Sequence, residues 1–134
     1  MEKNEQTIIA FYQHVGKLFY AVALADNNLD EGEFSTLKNE LSKGSTFVEL
    51  LAVAKDIDGK HHILSAFTLM FADKVAPETC YEEFIAFKQK NENLFTESLK
   101  KNILKIAGKI ASSFSNRNKS ELIMLAKLSI EFKK

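Results

Sequence analysis

The chain has few of the residues that mark covalent cross-links and phosphate-binding loops. Of its 134 residues, one is cysteine, one is proline and five are glycine. Because Cys80 has no second cysteine to pair with, an intrachain disulfide is excluded, and a reducing compartment is the expected setting. The glycines lie too far apart to form a P-loop or a dinucleotide-binding turn, which excludes those classes of nucleotide binding.

The sequence also lacks a long apolar run. The longest stretch without Asp, Glu, Lys or Arg is His61 to Ala72, which has 12 residues, and a membrane-spanning helix needs about 20. The N-terminal residues do not have the pattern of a cleaved signal peptide. We therefore expect a soluble cytoplasmic protein that forms one domain over residues 1–134.

What the sequence does contain is an apolar residue at every third or fourth position along most of its length. This period, with a single proline, predicts an all-α fold of about seven helices. The predicted helices run from about 5 to 25, from 30 to 43, from Thr46 to Asp56, from 62 to 74, from Pro77 to 90, from 94 to 114 and from 119 to the end. The segment from His62 to Lys74 is the most apolar, so we expect it to be the central buried helix.

An offset of 88 residues aligns the two ends of the chain. It places Asp30 on Asn118 and Glu33 on Glu121, and it superposes a long helix, a polar turn and a second helix on their counterparts. This predicts two pseudo-repeated helical hairpins packed with the central helices between them. Amphipathic helices often align by chance, so an evolved repeat and a coincidence both stay open.

The densest group of polar residues is the turn from Asp26 to Glu33. Its four carboxylates belong to Asp26, Asp30, Glu31 and Glu33. Calcium and magnesium bind to clustered oxygen ligands of this kind, but the turn is no EF-hand, because Glu31 and Leu37 stand where the glycine and the bidentate glutamate would be. The alternative is that Asp30 and Glu33 form a capping box, which leaves Asp26, at the end of the preceding helix, unexplained.

The string from Ala23 to Phe34, between two amphipathic helices, resembles the signature turn of the TerB-like tellurite-resistance family. In that turn an alanine-rich helix end is followed by an aspartate and, seven residues later, by a glutamate, the separation between Asp26 and Glu33. The family's all-helical fold with two pseudo-repeated halves would cover essentially the whole chain. Two departures stand out: Asn27 replaces the usual glycine, and Phe114 replaces the first aspartate of the second turn.

The resemblance implies a non-enzymatic bacterial domain linked to tellurite resistance and other stress responses. It also implies weak binding of a divalent metal ion, calcium or magnesium, by acidic residues of the helix turns. The ligands in this chain would be Asp26, Asp30 and Glu33, with Glu121 as the residue that survives from the second turn.

Two other groups of reactive side chains favour structural interpretations. His61 and His62 follow Asp56 and Asp58, but adjacent histidines diverge on a helix, so a solvated turn is preferred to a zinc site. Cys80 has no identifiable base, which favours a buried thiol over a nucleophile. We therefore expect no catalytic activity.

The net charge of zero is the sum of two opposite regions. Residues 1–98 contain 9 Lys and Arg against 16 Asp and Glu, a net charge of −7, whereas residues 99–134 contain 9 against 2, a net charge of +7. Lys101, Lys105 and Lys109 recur every four residues along one side of a helix, and Arg117 follows.

This basic stripe has two interpretations, a solvated helix face and a binding surface. As a surface it would bind a protein partner or an anionic membrane, which makes the inner face of the membrane an alternative location. Nucleic acid is disfavoured, because no aromatic residues interleave with the lysines. The alternative function is thus a protein-interaction scaffold that uses the basic C-terminal hairpin, with the acidic turn serving only as a helix cap.

Overall fold

The computed structural model describes residues 5–25, 29–43, 47–112 and 119–134, which form seven α-helices. The helices are α1 (Glu5–Ala23), α2 (Glu31–Ser42), α3 (Val48–Leu51), α4 (Gly59–Ala72), α5 (Pro77–Lys90), α6 (Glu97–Ala111) and α7 (Lys119–Phe132). A 3₁₀ turn, Glu92–Leu94, lies between α5 and α6. The prediction of an all-α fold with about seven helices is confirmed for the described part of the chain.

Helix α1 is the centre of the fold. It packs against α4, α5, α6 and α7, and Phe11, Tyr12 and Phe19 are among its fully buried side chains. The prediction that α4 is the central helix was wrong, since Leu69 of α4 is 53% exposed. A high apolar content predicts that a helix packs against the core. Which helix is central depends on how many other helices surround it, and this is set by the tertiary arrangement.

Helices α1 and α4 approach closely at Gly16. A Cβ atom at this position would collide with the backbone carbonyl oxygen of Ile63 and would lie 3.0 Å from Cβ of Ala66. The bare backbone of Gly16 therefore lets the two helices meet at a shorter distance than any larger residue would allow. This contact sets the spacing between the central helix and the helix that covers it.

Several helix starts follow directly from the local sequence. Asp58 caps α4 by accepting a hydrogen bond from the backbone N–H of His61 (3.1 Å), and Thr96 caps α6 by accepting one from Leu99 (3.1 Å). Pro77 is the first residue of α5, as predicted. Helix α3 is shorter than expected: it begins after Phe47 and ends at Leu51, and Thr46, the expected cap, lies outside the described residues.

The two predicted hairpins differ in packing. Helices α6 and α7 pack against each other and against α1, whereas α2 packs against α4. Asn118, which the 88-residue offset aligns with the cap residue Asp30, is outside the described residues. The C-terminal pair is therefore a packed hairpin, and it carries the basic part of the sequence.

Buried lysines hold the end of α7 in place. Lys88 of α5 is fully buried and donates hydrogen bonds to the backbone carbonyl (3.1 Å) and the Oε2 atom (3.3 Å) of Glu131. Lys100 of α6 donates to the backbone carbonyl of Phe132 (3.1 Å). These bonds fix which face of α7 points inward.

Candidate functional site

The acidic turn forms a capping box at the start of α2. Asp30 Oδ1 accepts a hydrogen bond from the backbone N–H of Glu33 (2.8 Å), and Glu33 Oε1 accepts one from the backbone N–H of Asp30 (3.1 Å). The two carboxylates satisfy backbone donors at the N-terminus of the helix. Capping therefore accounts for the positions of Asp30 and Glu33, which agrees with the interpretation of this turn as a helix cap.

The other residues predicted to bind a metal lie elsewhere. Glu121 is in the first turn of α7 and is buried, and Asp26 is outside the described residues. Within the ranges that the structure describes, no three His, Cys, Asp or Glu side chains come together as a metal site. Carboxylate oxygens suit calcium or magnesium, so a divalent site that includes Asp26 stays a prediction.

A pocket of about 620 Å³ adjoins the capping box. Its walls come from the end of α1, the start of α2 and the segment between α4 and α5, and they include Tyr20, Leu24, Leu29, Asp30, Glu31, Phe71 and Lys74. The hydroxyl of Tyr20 donates a hydrogen bond to the backbone carbonyl of Val75 (2.6 Å) and so closes one side. The pocket is apolar inside, and its charged residues carry both signs.

The thiol of Cys80 has the properties of a core residue. It is fully buried, and burial, with a smaller contribution from the charge of Glu83, raises its pKa to about 11. At neutral pH the side chain is therefore a protonated thiol, which is a poor nucleophile. This environment agrees with the structural interpretation of Cys80.

The histidine pair does not form a larger cluster among the described residues. The rings of His61 and His62 lie edge to face, with centroids 5.4 Å apart. Asp58, one of the two neighbouring carboxylates, is used as the cap of α4. The preferred interpretation of this segment as a turn and helix start agrees with that geometry.

The predicted basic stripe lies on the surface of α6. Lys101, Lys105 and Lys109 are all exposed, while Lys100 points inward. Arg117, the fourth predicted residue, is outside the described residues. Three successive turns of α6 therefore present one ammonium group each.

The exposed side of α7 was missed by the sequence analysis. Leu122, Ile123 and Ile130 are 45%, 52% and 61% exposed, although all three are large aliphatic residues. Met124, Leu128 and Phe132 recur at intervals of four and form the buried face. The sequence contains this spacing, but Leu122, Ile123 and Leu125 are apolar as well, so the spacing alone did not single out the buried face.

Two of the three glutamates of the C-terminal hairpin point inward, and the third, Glu97, is exposed at the start of α6. Glu121 and Glu131 are buried, so within 99–112 and 119–134 every exposed charged side chain is a lysine. These exposed lysines are Lys101, Lys105, Lys109, Lys119, Lys127, Lys133 and Lys134. The surface of the hairpin is thus more strongly basic than the residue count of the segment indicates.

Comparisons with protein-family models, curated proteins and solved structures gave no match for this chain. The resemblance to the TerB-like family therefore rests on the residues of the turn and on the helical layout. Among the residues that the structure describes, no helix is both long and apolar enough to cross a membrane.

Proposed function

We propose that the protein is a non-catalytic interaction module whose C-terminal hairpin docks onto an acidic partner protein. The observation that carries this proposal is the one-signed surface of residues 99–112 and 119–134: their exposed charged side chains are all lysines, and their two glutamates are buried. Glu97, the exposed first residue of α6, pairs with Lys100 (3.1 Å). A uniform positive surface attracts acidic partners and speeds their association.

The stripe on α6 is suited to this role by its spacing. Lys101, Lys105 and Lys109 stand one helical turn apart, so their ammonium groups form a row about 6 Å from one to the next. A partner helix or loop with carboxylates at a similar spacing can pair with several of them at once. Exposed charge pairs act mainly through the association rate, so binding should weaken steeply as salt is added.

The structural roles of the reactive side chains support the proposal that the protein has no catalytic activity. Asp30, Glu33 and Asp58 accept capping hydrogen bonds, and the buried Cys80 is protonated at neutral pH because of its raised pKa. Each of these groups has a structural role that accounts for its position.

The test is a pull-down with the immobilised protein and with a variant that carries Lys101→Gln, Lys105→Gln and Lys109→Gln. We expect an acidic partner that the original protein retains at low salt to be lost with the variant. The matched control carries Lys55→Gln, Lys74→Gln and Lys90→Gln, which remove the same charge from exposed positions outside the hairpin. A partner that binds the stripe variant and the control equally would refute the role of α6.

A second candidate function is the weak binding of a divalent metal ion by a TerB-like, stress-associated bacterial domain. It is favoured by the Asp26-to-Glu33 spacing, which matches that of the family's turn. Calcium, magnesium, manganese and zinc would be titrated while amide NMR shifts are followed. Movement of the Asp30 and Glu33 resonances, with Asp58 unmoved, would support this function, and the absence of any shift at millimolar metal would refute it.

A further inference from the structure

Helix α7 has apolar residues on two opposite sides. Met124, Leu128 and Phe132 face the core, while Ile123, Ala126 and Ile130 form an exposed row at intervals of three and four, with Leu122 beside it. A helix in a globular protein normally has one apolar stripe, which faces the core. A second stripe, rimmed by charged residues, is typical of a docking surface.

Lysines of α7 and of the two residues after it are placed at the ends and along one edge of this outer row. Lys119 and Lys133 extend the row at its two ends. Lys127 and Lys134 lie along its edge; the ammonium group of Lys127 is 5.3 Å from the centre of the Tyr81 ring, and that of Lys134 is 3.3 Å from Glu131 Oε1. With Glu121 and Glu131 buried, the exposed side of α7 pairs aliphatic side chains with positive charge alone.

This mixture of side chains favours a lipid surface over a protein as the occupant. The buried centre of a protein–protein interface is depleted in lysine, whereas here lysines continue the same row as the aliphatic residues. At a bilayer surface a lysine can lay its alkyl chain along apolar neighbours and reach the headgroups with its ammonium group. Helices that lie in a membrane interface combine an aliphatic face with lysines in this way.

We propose that the outer face of α7 docks flat on an anionic bilayer, with Leu122, Ile123 and Ile130 inserted at the level of the headgroups. Lys119 and Lys127 of α7, and Lys133 just after it, contact lipid phosphates. The hydrogen bonds from Lys88 to Glu131 and from Lys100 to Phe132 hold the helix with this face outward. The proposal goes beyond the docking of a protein partner on α6, because it assigns a different ligand to different side chains.

The first test is co-sedimentation of the full chain with vesicles of phosphatidylcholine, with or without phosphatidylglycerol. We expect binding to the anionic vesicles only, weakened by salt. Replacing Leu122, Ile123 and Ile130 by serine should lower the partition coefficient about tenfold or more, because burial of these aliphatic side chains is lost. The matched control, Val48→Ser with Leu69→Ser, removes two aliphatic residues that are similarly exposed elsewhere and should bind like the original protein.

The second test uses the absence of tryptophan from the sequence. In an Ile130→Trp variant the emission should shift to shorter wavelength when anionic vesicles are added, because the indole enters a less polar environment. The emission of a Val48→Trp variant should stay unchanged.

The proposal is overturned if the original protein fails to sediment with anionic vesicles, or if the triple serine variant sediments as well as the original. It is also overturned if the two tryptophan variants respond alike. These results are independent of the pull-down on α6: a protein that loses its acidic partner through the Lys101, Lys105 and Lys109 substitutions should still show the Ile130→Trp shift.

Discussion

The ammonium group of Lys88, which is fully buried, lies 3.3 Å from the Oε2 atom of Glu131 and 3.1 Å from the backbone carbonyl oxygen of the same residue. Glu92, which is half exposed, lies 3.2 Å from the same nitrogen. The pair joins α5 to the last turn of α7 across 43 positions of sequence. Its geometry gives two of the predictions that follow.

Replacing Lys88 by methionine should lower the free energy of unfolding by up to about 3–5 kcal/mol, because the carboxylate of Glu131 loses its buried ion partner and keeps only Gln89 and the exposed Lys134. The measurement is a urea unfolding curve followed by circular dichroism. The control is Lys17→Met, which breaks the more exposed pair with Glu83 (3.1 Å) and should cost no more than about 1 kcal/mol. Equal losses for the two variants would contradict the assignment of Lys88 as the anchor.

The stability that Glu131 contributes should depend on pH. Burial alone would raise the pKa of Glu131, but hydrogen bonds from Gln89, Lys88 and Lys134 and the charge of Lys88 outweigh it, so the pKa is lowered. A carboxylate with a lowered pKa in the folded state stabilises above the pKa of the unfolded chain, and this contribution is lost as pH falls through the folded value.

The measurement is the difference in the free energy of unfolding between the original protein and Glu131→Gln at a series of pH values. This difference should be largest near neutrality and should shrink below the usual glutamate pKa of about 4.3. His14, whose pKa is lowered by burial, destabilises both proteins in acid and cancels in the comparison. A difference that does not vary with pH would contradict a charged Glu131.

Gly16→Ala should destabilise the protein by about 1–3 kcal/mol, because the added methyl group forces α1 away from the Ile63 carbonyl of α4. Gly108→Ala is the matched control: apart from the adjoining backbone of α6 itself, no heavy atom lies within 4 Å of the added Cβ, so it should stabilise helix α6 by roughly 0.5–1 kcal/mol. Thermal unfolding of both variants measures the contrast. If both substitutions shift stability in the same direction, the close approach at Gly16 is not supported.

Asp30→Ala should destabilise the protein by about 1 kcal/mol through the loss of the cap of α2. Asp30→Asn keeps an oxygen acceptor for the backbone N–H of Glu33 and should retain most of that stability. The same two variants separate capping from cation binding, because asparagine removes the charge that a metal ion would need. Calorimetric titration with calcium, alongside the unfolding curves, measures both effects.

The sequence predicted the fold class and several helix starts because these depend on local chemistry. Pro77 and the Asp30–Glu33 pair each act within one turn of their own helix. The central position of α1 was not predicted, because it depends on how many other helices surround it. A lysine such as Lys88 is normally solvent-facing, and its burial follows from an acid 43 residues away.

The two candidate surfaces were predictable to different degrees. The α6 stripe was found because one residue type recurs at helical spacing, and its exposure agrees with the structure. The outer face of α7 was missed, because Leu122, Ile123, Met124 and Leu125 form a continuous apolar run. Such a run does not show which two of its members face the core until the neighbouring helices are known.

The last carbonyl groups of an α-helix have no partner within the helix and are often left to water, and such helix ends fray. In α7 two of them, those of Glu131 and Phe132, are instead bonded to lysines from α5 and α6. Opening the last turn would take the carboxylate and the carbonyl of Glu131 away from the buried ammonium group of Lys88 and leave it with Glu92 alone. The last turn of α7 should therefore unfold together with the core, and its amide hydrogens should exchange with solvent at the rate of global unfolding.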